Sequence, residues 1–188
     1  MKALCGESSI GGVAAVEWGI THESEAIKMF EAENHVDVQP SGIWLHSSGV
    51  LGASPDGLVG DDSIVEVKCP FSARNGLFEI IKEGNFYIKE HTDGSYYLDA
   101  TKDPGLQYYH QMQGTLHLTG RQWCHLVVWA PGELLILPVL RDPTWGQNIP
   151  VLVDFHRVHM QPLLKPTDVA AGPVTARPNS GQLLCILP

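Results

Sequence analysis

Positive charge is scarce in this sequence. Its 188 residues carry 12 Lys and Arg against 21 Asp and Glu, a formal net charge of -9. That balance excludes a polybasic protein that holds nucleic acid through bulk charge, but not a metal-dependent enzyme, whose site needs clustered carboxylates. Long apolar runs are missing as well: no window approaches the roughly 18 to 20 apolar residues of a membrane span. Glu7, Ser8 and Ser9 interrupt any signal-peptide core near the N-terminus. Neither a membrane partner nor secretion is expected, and the chain reads as intracellular, nucleus or cytoplasm left open. Cysteine is sparse. Cys5, Cys69, Cys124 and Cys185 form no CxxC pair and no zinc-ligand spacing, so they read as reduced thiols.

What is present suffices for a core. The hydrophobic fraction is 44% and the mean hydropathy -0.03, which rules out wholesale disorder. The length fits one domain with a tail. A short N-terminal segment (1–15), one folded domain (16–164) and a tail (165–188) are expected, because five prolines fall in the 27 residues from Pro162 onward.

Within the domain, Val16, Ile20, Ile27 and Phe30 share one face of a helix over 16–33. Ile43–His46, Val50–Val59 and Ile64–Lys68 read as three strands of an antiparallel meander, punctuated by Ser47-Ser48-Gly49 and Gly60-Asp61-Asp62-Ser63. A short helix over 72–83 and a hairpin over 85–99 follow. Asp103 then caps a helix from about 104 to 118, with Pro104 at its first position and Gly120 beyond its end. Strands over 122–129 and 133–139 turn at Pro131-Gly132, and a helix within 145–164 closes the domain.

The chemistry concentrates in Ser54-Pro55-Asp56-Gly57 and Ile64-Val65-Glu66-Val67-Lys68. On a strand, residues two apart share a face, so Glu66 and Lys68 project together while Val65 and Val67 enter the core. The turn at 60–63 brings Asp56 beside Glu66. Two carboxylates with the Val67 carbonyl between them form a hard-oxygen site suited to Mg²⁺, with Mn²⁺ as a substitute. Lys68 beside it can orient or deprotonate a water and neutralise charge building on a phosphate. A Glu-x-Lys pair is also a common surface salt bridge. Here the apolar flanks make an interior strand, where charges are costly unless a site uses them.

These residues resemble the YqaJ viral recombinase, lambda-exonuclease-like family of the PD-(D/E)xK nuclease superfamily. The likeness rests on Trp18-Gly19 with Glu23 and Ala26, Gly52 to Gly57, Val65 to Phe71, and Tyr109-His110-Gln111-Met112-Gln113, over about residues 16–164. It implies an α/β fold with a central mixed β-sheet flanked by helices. The implied activity is metal-dependent exonuclease digestion of duplex DNA from its 5′ end, in recombination, repair or viral DNA processing. By the same resemblance Asp56 and Glu66 hold metal with the Val67 carbonyl, Lys68 activates water, Gln111 positions it, and Glu23 serves a second metal. Double-stranded DNA ends are the implied partner, alongside a single-strand annealing protein and a homo-oligomer. The family's Arg-plus-Ser/Thr clamp has no counterpart before Trp18, so a truncated N-terminus is expected.

Other readings stand beside these. Ser54, Arg74 and Gln113 are candidate substrate contacts, although Gln113 points to the apolar stripe and reads equally as a structural hydrogen-bonding residue. Glu25 competes with Glu23 as solvated face, Cys69 reads as packing, and His156 with His159 reads as ordinary surface. Trp44, Trp123 and Trp129 read as core. Two functional alternatives remain: an endonuclease or nickase of the same superfamily, and a nuclease fold that binds DNA or protein without cutting.

Overall fold

A helix that packs on one face of a sheet needs only one apolar stripe, and the first helix is built that way. In the computed structural model, which describes residues 14–164, α1 (Ala14–Asn34) buries Ala26 and Phe30 and leaves Glu25 exposed. Trp18 anchors it, its ring 5.8 Å from Phe71 and 6.5 Å from Trp129. The expected tail over 165–188 and most of the N-terminal segment lie outside the described residues.

The expected meander resolves into two sheets. β1 (Trp44–Leu45) and β2 (Gly52–Ala53) pair as a separate small antiparallel unit. The run Val50–Val59 is therefore not one strand: Pro55 cannot donate to a ladder, and pairing resumes only at β3 (Gly57–Val59). β3 is antiparallel to β4 (Ser63–Lys68), as expected. After β4 the chain makes a 3₁₀ turn (Phe71–Ala73), α2 (Leu77–Lys82) and the hairpin β5 (Ile88–Glu90) with β6 (Tyr96–Leu98). The helix expected over 72–83 is thus divided in two.

α3 (Gly105–Thr119) begins at Gly105, with Pro104 in the N-cap place and no side chain capping it. Asp103 is not the cap, because the helix starts one residue later. A Cβ on Gly105 would lie 2.1 Å from the Asp99 carbonyl oxygen, so only glycine allows this close approach. Gly120 ends the helix in the left-handed region at φ 73°. β7 (Trp123–Ala130) and β8 (Glu133–Leu140) form the closing hairpin. A helical path then runs through a 3₁₀ turn (Pro143–Gln147), α4 (Asn148–Phe155), a π-helical turn (His156–Met160) and a final 3₁₀ turn (Gln161–Leu163). Pro150 sits in the first turn of α4, where a missing N–H costs little.

The main sheet has the order β3-β4-β7-β8, with β4 parallel to β7 and the other pairs antiparallel. Its mixed character and flanking helices match the fold class expected from sequence. Both faces are covered. Val65, Val67, Val127 and Trp129 pack with Ala26 and Phe30 of α1. Ile64, Leu126 and Val128 pack with Leu77 and Ile81 of α2 and Met112 and Leu116 of α3. Among the expected core tryptophans, Trp129 is buried, Trp44 is half-buried and Trp123 at the strand start is 41% exposed.

The edge beyond β3 is closed by the segment after α1. Gln39 donates to the Leu58 carbonyl and accepts from the Leu58 amide, at 2.8 and 2.9 Å. This brings Val38 against Gly57, where a Cβ would lie 2.1 Å from Val38 Cγ1. We predict that Gly57→Ala lowers unfolding free energy by about 1–3 kcal/mol through overpacking. Adding Val38→Ala should return part of that loss in urea titrations. Equal losses with and without Val38 truncated would refute this contact as the cause.

Candidate active site

Strand alternation sets the site. Glu66 and Lys68 lie on the same face of β4 as Ile64, the face covered by α3, while Val65 and Val67 face α1. Glu66 is consequently a carboxylate inside the core, 1% exposed. Two donors make this tolerable. Lys68 Nζ lies 2.6 Å from Glu66 Oε1, and Gln111 Nε2 donates to the same oxygen at 2.7 Å. Lys68 Nζ also donates to Gln111 Oε1 at 3.3 Å, closing a triangle.

Asp56 sits just before β3 and completes the edge of β4. Its amide donates to the Val65 carbonyl at 3.1 Å, and its Oδ2 accepts from the Val67 amide at 2.7 Å. In a strand the N–H and C=O of one residue point to the same side, so the Val67 carbonyl faces Asp56. The turn thus sets the Asp56 carboxylate at the backbone of Val67, close enough for its charge to be felt at Glu66. α1 contributes Glu23, half-buried on the wall of the same cleft. That cleft has a volume of about 1270 Å³, and Asp56, Val67, Lys68 and Gln111 line it.

Among the other sequence candidates, Arg74 stands on the cleft rim. Its guanidinium lies 4.1 Å from the Phe71 ring centroid and donates to the Phe71 carbonyl at 2.7 Å. Ser54 is half-buried and outside the cleft lining. Gln113 does not reach the cleft. It is fully buried, donates to the Leu140 carbonyl at 2.9 Å and accepts from the Asp142 amide at 2.8 Å, so it ties α3 to the end of β8. His156 departs from the surface role expected of it: it is 2% exposed, while His159 is exposed and lies against Phe155. Burial pushes the Cys69 thiol up to about 12, with Glu23 and Asp56 adding to the shift. It stays protonated and packs beside Val67.

One contact was not anticipated. Tyr108 precedes Gln111 by three residues, which places both on one face of α3, and Lys68 Nζ lies 4.8 Å from its ring centroid. The i,i+3 spacing was the available signal. The neighbouring Tyr109 instead donates to Asp142 Oδ2 at 3.1 Å.

The donor set fits a hard divalent cation. Glu66 Oε2 is buried with no hydrogen-bond partner among the described residues, and it is the carboxylate atom left over once Oε1 has accepted twice. Among the described residues no three His, Cys, Asp or Glu side chains converge as a metal cluster by themselves. Asp56, Glu66 and the Val67 carbonyl would supply the mixed oxygen ligands.

A family model for the YqaJ-like viral recombinase domain matches residues 3–122. The chain belongs to this family. Its fold is similar to that of an alkaline exonuclease, LHK-Exo from Laribacter hongkongensis, with a TM-score of 0.61 and 28% identity over 86% of this chain and 75% of that one. The same enzyme in complex with dAMP gives a TM-score of 0.62 with the same identity and coverage. A phage-related exonuclease from Haemophilus somnus 129PT shares the fold at 13% identity and a TM-score of 0.58, covering 81% of this chain and 73% of that one. No curated protein matches the chain.

Burial raises the Glu66 carboxyl from 4.5 to about 8; Lys68 draws it down, while Asp56 and Glu23 push it further up. The proton belongs on Oε2, since Oε1 accepts from Lys68 and Gln111. Burial works against the Lys68 ammonium, but the Glu66 charge and hydrogen bond outweigh it and the net shift is upward. In metal-free protein the folded state thus keeps a Glu66 proton that the unfolded state releases. The folded state binds more protons in that window, so stability falls as pH rises from 4.5 to about 8. Urea midpoints in chelator at pH 5 and pH 8.5 should show this fall for wild type and a flatter response for Glu66→Gln. Identical pH slopes in the two proteins would exclude Glu66 as its source.

Proposed function

We propose that the protein is a divalent-metal-dependent exonuclease that hydrolyses the phosphodiester bonds of duplex DNA, working from the 5′ end. The observation that carries this reading is the convergence of Asp56, Lys68 and Gln111 on one cleft, with buried Glu66 hydrogen-bonded to Lys68 and Gln111 behind its wall. Family membership and the likeness to an alkaline exonuclease support it. A neighbour bound to dAMP adds weight to a nucleotide substrate. Asp56, Glu66 and the Val67 carbonyl would hold Mg²⁺, with Mn²⁺ as a substitute, and Glu23 would serve a second ion. When bound, the cation supplies Lewis-acid charge at the scissile phosphate.

The chain's own groups then divide the work. Lys68, held as an ammonium, orients the attacking water and offsets charge that develops on the phosphate. Gln111 donates to Glu66, accepts from Lys68, and lines the cleft beside the lysine. Arg74 on the rim offers a cation to the approaching backbone. Protonated Glu66 cannot ligate a metal, so apparent metal affinity should rise with pH toward about 8.

The test is 5′-phosphorylated linear duplex and closed circular DNA incubated with the full chain in Mg²⁺ or Mn²⁺. Linear DNA should shorten from its 5′ ends and circles should persist. Glu66→Ala and Lys68→Ala should each lower kcat by about 10²- to 10⁴-fold, and chelator should abolish cutting. Cleaved circles would make the protein an endonuclease. Binding without any loss of full-length DNA would make it a non-cutting module.

A further inference from the structure

Lysine reaches its target on four rotatable bonds, and a catalytic ammonium needs more than one contact to hold its direction. In this cleft Lys68 meets Glu66, Gln111 and Tyr108. Glu66 Oε1 lies 2.6 Å away along the strand face, Gln111 Oε1 lies 3.3 Å away on α3, and the Tyr108 ring covers a third side at 4.8 Å. We propose that Tyr108 is a positioning residue for Lys68, its ring face holding the ammonium so that its remaining side faces the scissile phosphate. This rests on the nuclease reading above and concerns the same site.

Three observations carry it. The Lys68 side chain is 16% exposed, and cation–π attraction grows as the cation is desolvated. The ring is itself held, because Tyr87, which is buried, meets Tyr108 edge-on with centroids 5.1 Å apart and planes at 79°. Tyr108, like Gln111, also adds no full negative charge. Asp56, Glu66 and Glu23 already bring carboxylates to this site, and a further one would repel the phosphodiester that Lys68 serves. A ring quadrupole attracts the ammonium without that penalty.

The contact is separable from simple packing. Tyr108→Phe keeps the ring and should leave kcat within about two-fold. Tyr108→Leu keeps apolar bulk without the ring face. Phenylalanines carrying increasing fluorine, introduced at position 108, weaken cation binding while preserving shape. Across the fluorinated series, kcat on 5′-phosphorylated duplex should fall in step with fluorine number, reaching about 3- to 30-fold, with Tm unchanged. KM for DNA should move less than kcat. In metal-free protein, ring current should shift the Lys68 ε-methylene protons upfield in wild type and Tyr108→Phe, and the shift should vanish in Tyr108→Leu. A flat kcat across the fluorinated series, or no upfield shift in wild type, overturns the proposal. If wild type cuts no DNA, the nuclease reading fails, and the metal-free resonance alone decides whether Tyr108 holds Lys68.

Discussion

A carboxylate lies in the middle of a sheet whose two faces are both covered, and the local design follows from that constraint. Glu66 is 1% exposed between Val65 and Val67, which pack under α1, and beneath α3 on its own side. A charge there is costly unless matched by donors. The two donors come from positions that serve the site as well, Lys68 on the same strand and Gln111 from the crossing helix. Stability and chemistry are coupled at one oxygen, Oε1, while Oε2 remains for a proton or a cation.

The elements around β4 can be understood as the means of delivering groups to that carboxylate. The parallel pairing of β4 with β7 requires a crossover, and this crossover contains α3, which brings Tyr108 and Gln111 over Lys68. The antiparallel turn into β4 places Asp56 where the β3 ladder runs out, so a side chain continues the hydrogen bonding that backbone would otherwise make. Gln113 and Asp142 anchor the far side of α3 to the end of β8 and hold the angle at which Gln111 approaches. Arg121 ties the turn between β3 and β4 through the carbonyls of Gly60 and Ser63.

Much of this was readable in the sequence because it follows from short-range periodicity. The two-residue spacing of Glu66 and Lys68 and the Pro-Asp-Gly turn depend on local geometry and agree with their placement here, and Glu23 rather than Glu25 lines the cleft. The mixed sheet agreed as well. What escaped was set by tertiary packing. The break at Pro55 moved β2 into its own sheet, and Val38 closing on Gly57 has no sequence signature. Tyr108 was hidden because an aromatic on an amphipathic helix reads as core, and half of its role is indeed core packing. His156 reads as surface in the sequence, yet it is buried where the π-helical turn begins.

The net charge of -9 takes on a narrower meaning in this fold. Three acids, Asp56, Glu66 and Glu23, lie at or around the cleft, where a cation would offset them. Several of the few bases have structural roles: Arg121 holds a turn, Lys89 donates to the Gly84 carbonyl, and Arg157 lies 3.9 Å from Asp154. Among the described residues, the Lys and Arg side chains lining the cleft are Lys68 and Arg74, one beside the carboxylates and one on the rim. On the proposed nuclease reading, a polyanion meets few fixed positive charges among the described residues, so its binding would be weak and only shallowly salt-dependent, and would lean on a bound cation. On that reading the scarcity of bases bears on where attraction comes from: it would be concentrated at the scissile phosphate rather than spread along a duplex.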